Sequence, residues 1–125
     1  MSTLLRKTRQ KDAIRAAFVE ADRPLSPEEA LQHAQKHVPG VSIATVYRNI
    51  NSLLEEKWLT PVELPGQAAR YEVSGKEHHH HFQCNTCGKT YELSGCVVQT
   101  KPKLPRGFKA THHEFFVYGI CSACA

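Results

Sequence analysis

Residues 41–59 read VSIATVYRNINSLLEEKWL, and the division of this stretch between buried and exposed positions decides the fold. Ser42 is suited to cap a helix, and Val46, Ile50, Leu53 and Leu54 recur at helical spacing as one buried stripe. Thr45, Tyr47, Arg48, Asn51 and Ser52 then fall mostly on the outward side. These residue types hydrogen-bond base edges and phosphates. A generic three-helix bundle with a polar surface would also contain such a stretch, so its neighbours have to decide.

Upstream, Thr8 to Asp22 place Ile14, Ala17, Phe18 and Ala21 on one helical face. RPLSPEEALQHAQKHVPG, residues 23–40, supplies a second helix. Ser26 is its N-cap, Pro27 suits the first helical position, and Glu29 completes a capping box. Ala30, Leu31, Ala34 and Val38 pack inward, and Pro39 and Gly40 end the helix. Two helices, a short turn and a third helix with a polar outer face describe a helix-turn-helix. Downstream, LTPVEL and ARYEV read as short strands around a turn at Pro65 and Gly66, with Tyr71 and Val73 packing. A hairpin directly after the third helix is a wing. Ser74, Gly75 and Lys76 have hinge composition.

The second half differs in character. HFQC and KTYEL resemble strands flanking the CNTCG turn, and HEFFVYGIC is the strongest strand signal in the chain. SGCVVQT can open a helix that Pro102 and Pro105 cut short. The expected fold is α+β. An N-terminal winged helix-turn-helix domain spans residues 1–73, a hinge 74–77, and a small α/β metal-binding dimerisation domain 78–125. A chain of 125 residues allows one domain or two very small ones, which need a staple such as a metal or a partner subunit.

Charge and composition narrow the function. The net charge of +4 is mild, but Arg6, Lys7, Arg9, Lys11 and Arg15 crowd the start with only Asp12 opposing them. Such a patch favours a polyanion, most often nucleic acid. No apolar run approaches the roughly 20 residues that span a membrane, and the N-terminus has no apolar core of the signal-peptide kind. The expected location is the cytoplasm.

The metal chemistry centres on HHHHFQCNTCG, residues 78–88. Four of the five cysteines form two CxxC pairs, Cys84 with Cys87 and Cys121 with Cys124. Two such knuckles give four thiolates, a closed tetrahedral shell for structural zinc. An odd cysteine count without a secretion signal argues against a disulfide framework, and a thioredoxin-like redox motif wants a single CxxC. In an extended strand side chains alternate, so His79 and His81 share one face and His78 and His80 the other. One run can therefore serve two metal sites. Glu72 is an oxygen donor suited to the first, and His112 and His113 could serve the second. Cys96 and Gln99 are further donors. Mixed N/O donors suit zinc, iron, manganese or nickel. A solvated, nonspecific metal-binding surface is the plainer reading of the histidines.

ATVYRNINSL, RYEV, HHHHFQCNTCG and GICSAC occur together in the order and spacing of one family. The chain resembles the ferric uptake regulator (Fur) family of dimeric, metal-sensing bacterial repressors over almost its whole length. The resemblance implies a winged-helix domain, a hinge and a dimerisation domain, acting on a palindromic DNA operator as a homodimer. It implies a regulatory metal held by Glu72, His79 and His81 with a ligand from the DNA-binding domain, and a further site where His78, His80 and His113 match ligand positions. Thr45, Tyr47, Arg48 and Asn51 would meet the bases, and Arg9 and Lys11 the phosphates.

The chain also departs from the family pattern. His80 stands where iron sensors usually have aspartate, Arg23 and Pro24 where they have a histidine, and Gln99 where glutamate is common. The dimerisation helix is about three residues shorter. These features resemble the zinc-sensing branch, although Val73 and Ser74 stand where zinc sensors often place a cysteine. Glu63 in the wing is the substitute ligand. The expected function is a zinc-responsive repressor of metal-uptake genes, with iron, manganese or peroxide sensing as the alternatives within the family. A zinc metalloenzyme would need an open metal position and a general acid or base. Glu72, Glu77 or Glu114 could fill that role, but the chain lacks HExxH, and a DNA-reading helix has no use in an enzyme. A metal buffer is the remaining alternative.

Overall fold

Serine and glutamate three residues apart set the first sharp boundary in the computed structural model, which describes residues 3–96 and 103–125. Ser26 Oγ accepts the Glu29 N–H at 3.1 Å, and Glu29 Oε1 accepts the Ser26 N–H at 3.1 Å. This reciprocal cap starts α2 (Pro27–Gln35), with Pro27 at the helix start. Ser42 caps α3 (Ile43–Glu55) through the Thr45 N–H. The first helix, α1 (Thr3–Ala21), begins five residues before the expected start at Thr8. Leu5, Arg6 and Lys7 are good helix formers and extend it along an exposed stretch. α2 stops before Pro39 and Gly40, with Lys36 as its C-cap.

The chain divides into two compact units, residues 1–75 and 76–125. In the first, Ile14, Ala17 and Phe18 of α1 meet Ala30 and Ala34 of α2 and Val46, Ile50 and Leu53 of α3 in one buried core. β1 (Leu59–Val62) and β2 (Arg70–Val73) form an antiparallel hairpin behind it. Tyr71 and Val73 pack on the core, so alternation puts Glu72 on the opposite face of the hairpin. Leu25 adds a bridge to this hairpin, exchanging both backbone hydrogen bonds with Tyr71 at 2.9 Å.

Glu29 ties three segments together. Its Oε2 accepts from Arg23 at 2.7 Å and its Oε1 from Arg70 at 3.3 Å. Burial acts to raise the Glu29 pKa, but the hydrogen bonds from Arg23 and the Ser26 N–H and the two guanidinium charges outweigh it, holding it below the ordinary 4.5. A depressed carboxylate stabilises the fold above its unfolded pKa, and that stability is lost as pH falls through the folded value. Glu29→Ala removes the cap and both ion pairs and should cost about 1–3 kcal/mol at neutral pH. Chemical denaturation should show the difference shrinking below about pH 4; an unchanged midpoint at neutral pH would contradict the role.

The second unit is a three-stranded sheet of order β4-β3-β5, from β3 (His79–Cys84), β4 (Thr90–Ser94) and β5 (Phe116–Gly119). β4 pairs antiparallel to β3, whereas β5 runs parallel to it. The strand signal in HEFFVYGIC is realised only over its middle. The helix expected from SGCVVQT, with Gln99, lies outside the described residues beyond Cys96. Among the described residues this unit buries His80, Gln83, Cys84, Thr90 and Cys121 and no large apolar side chain. Among them too, no helix is long and apolar enough to cross a membrane.

Candidate metal centres and nucleic-acid face

The two CxxC pairs converge because β5 lies parallel to β3. Cys84 ends β3 opposite Gly119, and the Asn85 N–H donates to the Gly119 carbonyl at 2.7 Å, which leaves Cys121 beside the first knuckle. Gly88, at φ 74°, closes that knuckle, a left-handed conformation that favours glycine. The sulfurs of Cys84, Cys87, Cys121 and Cys124 all lie within 4.8 Å of one another, with Cys87 and Cys121 3.8 Å apart. Zn–S bonds of about 2.3 Å in a tetrahedron put sulfurs about 3.8 Å apart, so the cage fits zinc.

Electrostatics prepare the cage for a cation. The N–H groups of Cys121 and Cys87 each donate to Cys84 Sγ at 3.4 Å and lower its pKa to about 6. At neutral pH that sulfur is mainly thiolate, the form that binds metal. Burial acts to raise the Cys121 pKa, but hydrogen bonds from Tyr91 and Cys124 bring it below its ordinary value. The Cys124 thiol hydrogen-bonds Cys121 and is pushed up to about 12.

The histidine run splits as an extended strand requires. His79 and His81 stack edge to face with centroids 4.8 Å apart, and His79 Nδ1 lies 2.7 Å from the Glu77 carbonyl. On the other face a second cluster forms. The parallel register that pairs His81 with Phe116, carried back three residues, sets His113 beside His78. Their Nε2 atoms are 3.2 Å apart. Cys96 follows the end of β4 and places its sulfur 3.1 Å from His80 Nε2 and 3.3 Å from His113 Nε2. His80 is buried, and burial followed by the neighbouring His78 and His113 lowers its pKa. His112, the other histidine expected here, turns aside to Thr111 at 3.1 Å.

The remaining ligand candidates lie in the first unit. Glu72 is 6% exposed. Glu63 is exposed just beyond β1. Glu72 pairs with Thr60, three residues earlier, and an extended chain separates those positions by roughly 10 Å. Glu63 is thus displaced along the hairpin from Glu72, which weakens its case as a shared ligand.

The third helix presents its polar face as expected at Tyr47, Arg48 and Asn51, which are exposed. Thr45 departs from the expectation. It is only 9% exposed because its Oγ1 accepts from Ser42 at 3.0 Å and from Arg48 Nη2 at 3.0 Å. It is turned inward and holds the Arg48 guanidinium. An open groove of about 410 Å³ runs between α1 and α3, lined by Lys7, Thr8, Gln10, Lys11, Thr45, Arg48 and Asn49. Lys11 is held by Glu56 at 2.8 Å in an exposed pair, which phosphate can displace at little cost. Arg9 lies on another side of α1, lining a groove with Asp12 and Glu20. Lys7, of the N-terminal basic cluster, is joined in the groove by Gln10 and Asn49, which the sequence did not single out, since helical phase alone does not reveal which side of α1 faces α3.

The sequence profile of the ferric uptake regulator family matches residues 2–118. The chain belongs to this family. It shares the fold and the metal-responsive regulator class of Fur proteins, which are DNA-binding transcriptional repressors and not enzymes. The ferric uptake regulation protein of Campylobacter upsaliensis is 34% identical over 125 residues, covering 96% of this chain and 80% of the relative. Among solved structures, the Helicobacter pylori ferric uptake regulator, with three functional metal binding sites, aligns with TM-score 0.66 at 26% identity, covering 92% of this chain and 79% of that one. FurB of M. tuberculosis, a zinc uptake regulator, aligns with TM-score 0.53 at 26% identity, covering 97% and 96%. Similarity thus extends to Fur proteins named for iron and for zinc alike.

Proposed function

We propose that this Fur-family chain is a metal-dependent repressor of metal-uptake genes in which two metals have separate tasks. The four-cysteine cage holds a structural zinc. A regulatory ion binds at the hinge, residues 74–77, through Glu72, His79 and His81, with water or Glu63 in the fourth position. The observation that carries the reading is the split of one histidine run into two faces of β3, which frees His79 and His81 from the cluster formed by the other two. Zinc is the proposed regulatory ion, because two imidazoles and one carboxylate with an open position suit it and because Arg23, which stands where iron sensors carry a histidine, is committed to Glu29. The iron reading has its own support in the name of the Campylobacter relative, and on that reading the same three ligands take ferrous ion.

The homodimer is supported by the outer strand β5 and the exposed apolar side chains around it, Phe115, Tyr118 and Ile120. A sheet edge with such residues is suited to pairing with a second copy. DNA contact is assigned to Tyr47, Arg48 and Asn51 for bases and to Lys7 and Lys11 for phosphates. Arg48→Ala should cost about 1–3 kcal/mol in specific binding to a palindromic operator. Lys11→Ala should weaken specific and nonspecific duplex about equally and reduce the salt slope by about one. Both are read by fluorescence anisotropy across a salt series, and unchanged operator affinity in Arg48→Ala would overturn the recognition role.

A further inference from the structure

Arg48 bends back along its own helix. Its Nη2 donates to Thr45 Oγ1, three residues earlier, at 3.0 Å. Helical side chains lean toward the N-terminus, so an acceptor one turn back is within natural reach. The same oxygen accepts from Ser42 Oγ at 3.0 Å, and Ser42 Oγ accepts the Thr45 N–H at 3.2 Å. Ser42 is the N-cap of α3. One chain of hydrogen bonds therefore runs from the helix cap to the guanidinium. The neighbouring amide does not compete for the hydroxyl, because Asn49 Nδ2 donates to the Thr45 carbonyl at 2.8 Å.

The surroundings explain why an anchor is needed and why it is neutral. Lys7 and Lys11 line the groove of about 410 Å³ beside Arg48, and an overlapping groove of about 380 Å³ adds Arg6. Among the described residues no carboxylate lines either groove. Like charges push a loose guanidinium out into solvent, and a carboxylate anchor would cancel the charge that DNA attracts. A hydroxyl holds the group without neutralising it and uses one of its five N–H donors.

We propose that Thr45 is a positioning residue for sequence recognition: its hydroxyl fixes Arg48 at the N-terminal end of α3 for paired contact with a guanine edge. The inference rests on the DNA-reading assignment of Arg48 and adds the group that makes this reading selective. The N-terminal residues of a recognition helix meet base edges, and paired arginine donors match guanine O6 and N7. An arginine without an anchor reaches phosphate as easily as a base edge, and phosphate contacts carry no sequence information.

The test uses the metal-loaded dimer and a palindromic duplex selected from random sequence by the wild-type protein, with each base pair of one half-site then changed in turn. Wild type, Arg48→Ala, Thr45→Val and Thr45→Ser are compared by fluorescence anisotropy, and an unrelated duplex is titrated across a salt series. Valine keeps the shape of threonine and the Ser42 cap, which needs only the Thr45 N–H, and thermal melting of each variant verifies the fold. Arg48→Ala should flatten discrimination at one guanine. Thr45→Val should flatten it at the same guanine and weaken binding of the selected duplex roughly tenfold. The salt slope should stay, because no charge is lost. Thr45→Ser, which keeps the hydroxyl, should retain both discrimination and affinity. If Arg48→Ala loses discrimination at a guanine and Thr45→Val keeps it, the positioning role is overturned while Arg48 remains the reader. Equal weakening of selected and unrelated duplex by Thr45→Val would also overturn it. Discrimination that Arg48→Ala leaves intact at every position would overturn the DNA-reading assignment itself, and the positioning role with it.

Discussion

Cys84→Ser should lose the structural zinc and unfold the second unit. The first unit folds around Ile14, Phe18, Leu25, Ile50 and Leu53, all essentially inaccessible to solvent. Among the described residues the second has no comparable apolar core, and two of its five buried side chains are themselves cage cysteines. Structural zinc binds with an apparent free energy on the order of 10 kcal/mol. That exceeds the roughly 3–5 kcal/mol that a small hydrophobic core supplies. On the proposed reading, zinc in the cage would serve as the core of this unit. Elemental analysis should find the cage zinc gone, and amide exchange should find β3, β4 and β5 unprotected while α1, α2 and α3 stay protected. Because ligand thiols must lose protons to bind, acid should release zinc from the wild-type protein and mimic the variant. Full zinc content with unchanged exchange would refute the assignment.

The second large effect concerns regulation. His79→Ala with His81→Ala should abolish the metal response of operator binding while the cage zinc and the dimer persist. The two rings stand side by side on one face of β3. Removing both leaves Glu72 alone, which cannot hold a divalent ion at cellular levels. On the proposed mechanism, an ion across the hinge converts a flexible link into a fixed distance between two wings, matching two half-sites of a palindrome. The metal-free dimer samples other arrangements, so its apparent affinity is lower by the population of the competent one. Coupling of this kind is typically about 1–3 kcal/mol, or roughly 5–150-fold, and DNA must tighten metal binding by the same factor. Calorimetry of metal binding with and without operator reads this reciprocity. A double variant that responds normally would remove the hinge from the mechanism.

Much of this organisation was legible because it rests on local chemistry. Ser26 with Glu29 and Ser42 before an apolar stripe are signals complete within a few residues, and both helices start where they point. Two CxxC pairs specify a tetrahedral cage whatever lies between them. What escaped depends on pairing between distant segments. Leu25 joins the wing only because the chain before α2 passes alongside Tyr71. Thr45 has the composition of a base reader, but hydrogen bonds to Ser42 and Arg48 turn it inward. The choice between His112 and His113 follows from the parallel register of β5 on β3, for which the sequence has no marker. Cys96 was one of several candidate donors until the end of β4 placed its sulfur against two imidazoles.

The most direct measurement of metal-dependent repression is operator affinity as a function of free metal. Dimer with its cage zinc intact and its labile metal removed is titrated anaerobically with Zn2+, Fe2+ and Mn2+ against a palindromic duplex selected from random sequence. Affinity should rise by roughly 5–150-fold with Zn2+ at the lowest free concentration, and it should not rise in the His79→Ala, His81→Ala variant. Activation by Fe2+ or Mn2+ alone would move the metal assignment and keep the repressor. Affinity that none of the three ions changes would contradict the switch itself.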